Sequence, residues 1–262
     1  MNSYFYKIFL PHTMLSVSGV WLLTQDPSLL FWTLLFWIFI GPIGLGIGFH
    51  RLFSHRQFET YRPVELLLAF LGTIGAYGPL LFWVSSHQCH HRYTDTEKDP
   101  TSPCRGFWHS VITWNLKKQC EKEIYLKSYP SIIIMRDATL MWMTRNFFLI
   151  NYAFLTLLFL LDFKIAIAGY VLATTVERLR IGFFVNYLLH KNIPFSYQAK
   201  DSTNNSINIF WLYPFTAGFS LHSQHHTKPM SLSEKTQWFE VDLEYFLCKF
   251  ISKRNDKKIN KE

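Results

Sequence analysis

Histidine placement constrains this chain more than any other feature. His87, His90 and His91 fall within five residues in the stretch Ser86 to Asp99, and the same H-x-x-H-H spacing returns at His222, His225 and His226. His50 and His55 make a third group, and His190 follows Asn186-Tyr-Leu-Leu. Nine of the eleven histidines lie in these four places, with only His12 and His109 outside. On a helix, positions i,i+3 and i,i+4 share a face, so His87 can converge with His90 or with His91. Adjacent His90 and His91 point about 100° apart, so one helical turn can serve two metal ions. Neutral imidazole suits iron, copper, nickel and zinc.

The remainder of the chain points to a membrane. Apolar residues make up 49% and aromatics 18%, against 17% charged, a balance tilted away from soluble domains. Mean hydropathy is only +0.08, so a sizeable polar part is expected beside the spans. Spans are expected at about 5–23, 29–49, 146–161 and 165–189, and residues 65–83 read as a re-entrant apolar segment or two short helices. Residues 131–143 are expected to form one amphipathic surface helix, with Trp108 and Trp114 as interface anchors. Residues 243–251 form a short helix and 253–262 a charged tail. The chain up to 252 is expected to be a single membrane domain.

The net charge of +8 does not indicate nucleic acid, because the basic residues alternate with apolar runs. Of 26 Lys plus Arg, 12 lie between Arg51 and Arg145 and 10 after His190, while the turns on the other side carry only Lys164. The positive-inside bias then puts both termini, the middle segment and all nine clustered histidines in the cytosol. Cys89, Cys104, Cys120 and Cys248 have no paired spacing and read as reduced thiols without a metal role. The start lacks a compact basic–apolar–small pattern, so no cleavable signal peptide is expected. His12 reads as a packed or interfacial histidine. Glu177, Arg178 and Arg180 interrupt the last span, where charges must pair or face protein or water, and they read as an internal ion pair near the cytosolic end or as a donor-docking or substrate-headgroup site.

The ligand set is nearly all nitrogen. There is no H-E-x-x-H of zinc proteases and no E-x-x-H of carboxylate di-iron bundles. Nine imidazoles exceed the needs of one ion, and two ions would use them all. Iron suits redox and O2 chemistry, zinc hydrolysis. Asp95, Glu97 and Asp99 read as groups that orient imidazole N–H bonds.

Taken together, these motifs resemble the integral-membrane fatty acid desaturases of the acyl-CoA (stearoyl-CoA, delta-9) type. Gly48-Phe-His50-Arg-Leu-Phe-Ser-His55-Arg is close to G-x-H-R-L-W-S-H-R, and Trp83 to Pro100 resembles W-x-x-x-H-R-x-H-H-x-x-x-D-T-x-x-D-P. Arg105-Gly-Phe-Trp108, Asn186-x-x-x-His190, Ser206-x-Asn208 and His222-x-x-His225-His226 complete the pattern over roughly residues 25 to 230. The resemblance implies an all-α membrane protein with four transmembrane helices and a cytosolic helical cap. It implies two irons held by His50, His55, His87, His90, His91, His190, His222, His225 and His226, with Asn186 reaching one through water. It implies O2 as co-substrate, electrons from a separate donor such as ferredoxin or cytochrome b5, and a cis double bond placed in an acyl chain. Lys117, Lys118 and Lys122 would suit an acidic donor. Two departures surround the boxes: Ser85-Ser86 stand where Arg-Asp is usual, and Phe219-Ser220-Leu221 where Glu-Gly-Trp or Glu-Gly-Phe is usual. They leave the carrier open among CoA, acyl carrier protein and glycerolipid. His109 lies two residues before the family's usual histidine and reads as structural. Other readings are a related hydroxylase or acetylenase, and a non-catalytic or zinc-hydrolytic membrane metalloprotein.

Overall fold

The computed structural model describes residues 3–116 and 128–253. Lys117, Lys118, Lys122 and Cys120 therefore lie outside the described residues. Among those described, the protein is helical throughout, with isolated β-bridges (Thr60 with Ser252, Asn208 with Tyr197 and Leu221) and no strand.

Helix α1 covers residues 5–25 and α2 Leu29–Ser54, joined by a turn in which Asp26 accepts from Ser28. Helices α3 (Arg62–Ile74) and α4 (Leu80–Tyr93) form a hairpin whose tip uses Ala76 at φ 55° and Gly78 at φ 149°. Helix α5 (Tyr129–Arg136), α6 (Ala138–Arg145) and α7 (Phe147–Leu161) follow, then α8 over residues 165–187. Helix α9 is His222–Thr227 and α10 is Leu243–Ile251. Among the described residues, only α2 is by itself long and apolar enough to cross a membrane, and α6 with α7 passes as a pair bent by 71°. The α8 helix is of similar length, but Glu177, Arg178 and Arg180 lower its hydropathy.

The helix expected over 131–143 is two helices instead. Asp137 leaves the helical region (φ −96°, ψ 113°) and its carboxylate accepts from the Thr139 and Leu140 amides at 3.0 Å. A carboxylate satisfying unpaired first-turn N–H groups starts a new helix rather than continuing the old one. Arg62 pairs with Asp137 at 2.7 Å and fixes the break against α3. Trp114 also departs from expectation: it is buried, with its ring 6.1 Å from Phe82 and Tyr77, while Trp108 is exposed. His12 is packed as expected, paired to Thr174 at 2.9 Å.

Helices α2 and α3 lie backbone to backbone. A Cβ on Gly44 would sit 2.6 Å from the Leu71 carbonyl carbon, which is why the glycine-rich end of α2 packs there. Gly44→Ala is expected to force the helices apart at a cost of about 1–3 kcal/mol. Thermal unfolding in detergent would show it as a lowered Tm.

Candidate metal centre

The nine clustered histidines come from α2 and the residue that follows it, α4, the 3-10 turn after α8 (Leu188–His190), and α9. They meet in two groups. His50, His55, His87, His91 and His225 place their ring nitrogens within 4.8 Å of one another, and so do His90, His190, His222 and His226. On α4, His87 and His91 join one group and His90 the other, the split expected from the angle between neighbours on a helix. The α9 helix does likewise, His225 facing the first group and His222 and His226 the second.

His50 and His55 are five residues apart, so on a regular helix they would point about 140° from each other. Residues Phe39–Ser54 are instead wound with i→i+5 hydrogen bonds, and the His55 amide donates to the His50 carbonyl at 3.1 Å. This wider turn brings both rings to one face, where they meet edge to face with centroids 4.9 Å apart.

Three of the ring nitrogens turned away from the groups are anchored, while Nδ1 of His50, His222 and His225 has no hydrogen-bond partner among the described residues. Nδ1 of His90 lies 3.0 Å from Asp99 and Nδ1 of His190 3.0 Å from Asp95. Nδ1 of His226 lies 3.3 Å from Thr94 Oγ1, whose own proton goes to the His90 carbonyl. A carboxylate accepts only, so it places the imidazole proton on Nδ1 and leaves Nε2 with a lone pair. In the four-histidine group those Nε2 atoms meet at 2.9 Å (His190 and His222), 3.1 Å (His222 and His226) and 3.2 Å (His90 and His226). Lone pairs facing one another at such distances suit a cation held between them. In the five-histidine group the spacings are 2.7 Å (His55 and His87) and 3.0 Å (His50 and His225). Burial first, then the neighbouring imidazoles, hold His55, His87, His91, His222 and His226 well below the ordinary histidine range. They are neutral at pH 7, the form that binds metal. The donor set thus fits two metal ions.

The anchors are themselves fixed. Asp99 also accepts from the amides of Asp95 and Thr101, and Asp95 from the Asn205 amide at 2.7 Å. Burial would raise both carboxyls, but the histidines they face hold them below the ordinary range. Glu97 is exposed and takes no part. Asn208 explains its place in the Ser206-x-Asn208 pattern: its side-chain oxygen accepts from the Ser223 and Gln224 amides and caps the first turn of α9. Asn186 donates to the Ser110 carbonyl at 3.3 Å. His109 is buried and donates to the Pro100 carbonyl, a structural position. Cys89 lies outside both groups. Ser85, standing where the acyl-CoA desaturase pattern has a charge, pairs with Ser131 of α5, and Phe219 lies 4.8 Å from the His50 ring.

Sequence reasoning missed Glu234. Its Oε1 lies 3.1 Å from Nδ1 of His225 and 3.5 Å from Arg51. The contact to His225 is short but out of line, electrostatic rather than a formed hydrogen bond. Arg51 itself is fully buried and also meets Asp242 at 3.0 Å and Glu244 at 2.8 Å. No local spacing links these three acids to a histidine box almost two hundred residues earlier.

A family model described as fatty acid desaturase matches residues 27–242. The chain belongs to the fatty acid desaturase family. It is an oxidoreductase that desaturates fatty acyl chains. This desaturase is 31% identical over 221 residues to the sn-1 stearoyl-lipid 9-desaturase of Synechocystis sp., covering 83% of this chain and 67% of that one. It is 30% identical to the sn-2 palmitoyl-lipid 9-desaturase of Nostoc sp., over 83% of this chain and 75% of the relative. The hex-5-enoyl-[acyl-carrier protein] acetylenase of Moorena producens is also 30% identical, over 79% and 69%.

Proposed function

We propose that this desaturase is a multi-pass membrane di-iron enzyme that uses O2 and two electrons to introduce a cis double bond into a lipid-linked acyl chain. The observation that carries the reading is the division of nine imidazoles into groups of five and four. His50, His55, His87, His91 and His225 would hold one iron, and His90, His190, His222 and His226 the other, with Asn186 reaching one through water. Iron bound there would supply O2 activation and the removal of two hydrogens from adjacent methylene carbons. The protein's part is to hold His190, His90 and His226 in one tautomer through Asp95, Asp99 and Thr94, to position the chain, and to exclude water.

A groove of about 530 Å³ between α2 and α8, lined by Thr33, Leu34, Trp37, Val176, Phe183 and Phe215, suits an acyl chain. Its wall includes Arg180, whose guanidinium lies 5.6 Å from the Phe219 ring, the ring that packs on His50. Lipid-linked substrates are favoured because two relatives at 30–31% identity are named for acyl-lipid substrates.

The four spans at about 5–23, 29–49, 146–161 and 165–189, with the α3–α4 hairpin re-entrant, would put the histidines and both ends on the cytosolic side. They would form one membrane domain to residue 252, with 253–262 a charged tail. Electrons would come from a separate donor such as ferredoxin or cytochrome b5.

Lipid profiling with double-bond localisation, in cells making the wild type or His90→Ala, tests the reading. New monounsaturated chains are expected only with the wild type. An alkyne product would favour the acetylenase reading, which the Moorena relative supports, and an added oxygen a hydroxylase. No new product with donor and O2 supplied would overturn all three.

A further inference from the structure

Helix α8 buries three charges, and they do not balance. Glu177 and Arg180 answer each other: Arg180 Nη2 meets Oε1 at 2.6 Å and Nε meets Oε2 at 2.7 Å, while Trp37 donates to Oε2 at 2.9 Å. Arg180 also donates to the Thr216 carbonyl. The hydrogen bonds of Glu177 thus go to Arg180 and Trp37 and not to its chain neighbour. Arg178 is only 5% exposed, and its Nε, Nη1 and Nη2 are buried without an acceptor among the described residues. Its guanidinium lies 5.1 Å from the Phe9 ring.

A guanidinium has five N–H donors and keeps its proton at any physiological pH. Leaving it buried and unmatched is costly. Among the described residues, none of the polar groups beside it is hydrogen-bonded to it. Tyr4 donates to the Ala76 carbonyl, Tyr170 to the Ile74 carbonyl, and His12 pairs with Thr174. An α-helix sets Arg178 and Arg180 about 200° apart, so Arg178 faces α1 while Arg180 lines the groove.

We propose that Arg178 binds the phosphate of an acyl-bearing ligand, between the start of α1 and α8. The proposal rests on the membrane desaturase reading given above. In the topology of that reading, Phe9 lies one turn in from the cytosolic start of α1, so Arg178 sits inside the membrane, below the lipid headgroups. A planar fork of donors matches phosphate oxygens two at a time. An anion tethered to an acyl chain reaches this depth by burying the chain, which a free anion cannot do. The phosphate can come from a glycerolipid headgroup or from a phosphopantetheine-type carrier, and Arg178 reads the chemistry they share.

The test uses the full-length protein purified in detergent. Affinities are measured for distearoyl phosphatidic acid, stearoyl-coenzyme A, distearoylglycerol and inorganic phosphate. At least one phosphate-bearing acyl ligand is expected to bind about 10–100-fold tighter than distearoylglycerol, and which one identifies the source. The preference is expected to vanish in Arg178→Met and to return in part in Arg178→Lys. Equal binding of distearoylglycerol by the wild type, or an unchanged preference in Arg178→Met, would overturn the proposal and leave Arg178 as a partner of Phe9 only. Arg178-dependent binding of inorganic phosphate at the same strength would also overturn it, in favour of a free-anion site. Should Arg178→Met fail to fold, the wild-type preference and its weakening in Arg178→Lys decide. Desaturation by the same wild-type protein is scored separately: its absence with the phosphate preference intact would count against the desaturase reading and not against the site.

Discussion

His91→Ala and His222→Ala are each expected to cost the protein about one metal ion per chain and to lower desaturation more than 100-fold. His91 belongs to the five-histidine group and His222 to the four-histidine group. Losing a residue that merely orients a ligand typically costs about 10–100-fold in affinity or activity, so losing a nitrogen proposed to face the ion itself should cost more. The double variant is expected to retain neither ion. Elemental analysis of protein purified in detergent, beside lipid profiling of the producing cells, reads both quantities. Two full equivalents retained in either single variant would show that the imidazole in question is not a ligand. Loss of both ions from one substitution would mean that the groups assemble as a unit through helices α4 and α9, which contribute to both.

Much of this centre was legible because its residues follow local geometry. The H-x-x-H-H spacing separates neighbouring rings on one helix whatever surrounds it, so the assignment of His90 and His91 to different groups needed only the helical angle. The pairing of Asp99 with His90 was also readable, since Asp99 lies just past the box it anchors, whereas Asp95 follows the same box but anchors the distant His190. His50 and His55 show the limit of that logic. Their five-residue spacing is wrong for a regular helix, and only the wide winding of residues 39–54 brings the rings together. Asp137 shows another limit: in sequence it is a charge interrupting an apolar run, and in the structure its carboxylate is the cap that starts α6. The acids around Arg51 were beyond reach because they lie far along the chain, in an irregular stretch and the start of α10, where no periodicity marks a buried face.

Those acids support the last expected result. Arg51→Ala should destabilise the protein by about 3–5 kcal/mol, the usual cost of stripping one partner from a buried ionic cluster. Glu234, Asp242 and Glu244 would then face one another without a cation, and the segment from Leu232 to α10 would lose its tie to α2, since Arg51 also donates to the Leu232 carbonyl at 2.8 Å. The three acids are not equivalent. Burial pushes the Glu244 carboxyl up to about 8, with Arg51 pulling it down and Glu234 and Asp242 adding to the rise. It is therefore largely protonated at neutral pH, and Glu244→Gln, which keeps an oxygen for Arg51, should change stability by less than about 1 kcal/mol. Glu234 is held below its ordinary range because Arg51 and His225 outweigh its burial. Glu234→Gln removes a charge beside a ring nitrogen of His225 and should weaken metal retention by about 10–100-fold. Thermal unfolding separates Arg51→Ala from the other two, and metal retention under a chelator separates Glu234→Gln from Glu244→Gln. Equal metal loss in both glutamine variants would mean that the cluster acts only as a fold-wide tie; loss confined to Glu234→Gln makes it the route by which the C-terminal segment sets the orientation of His225.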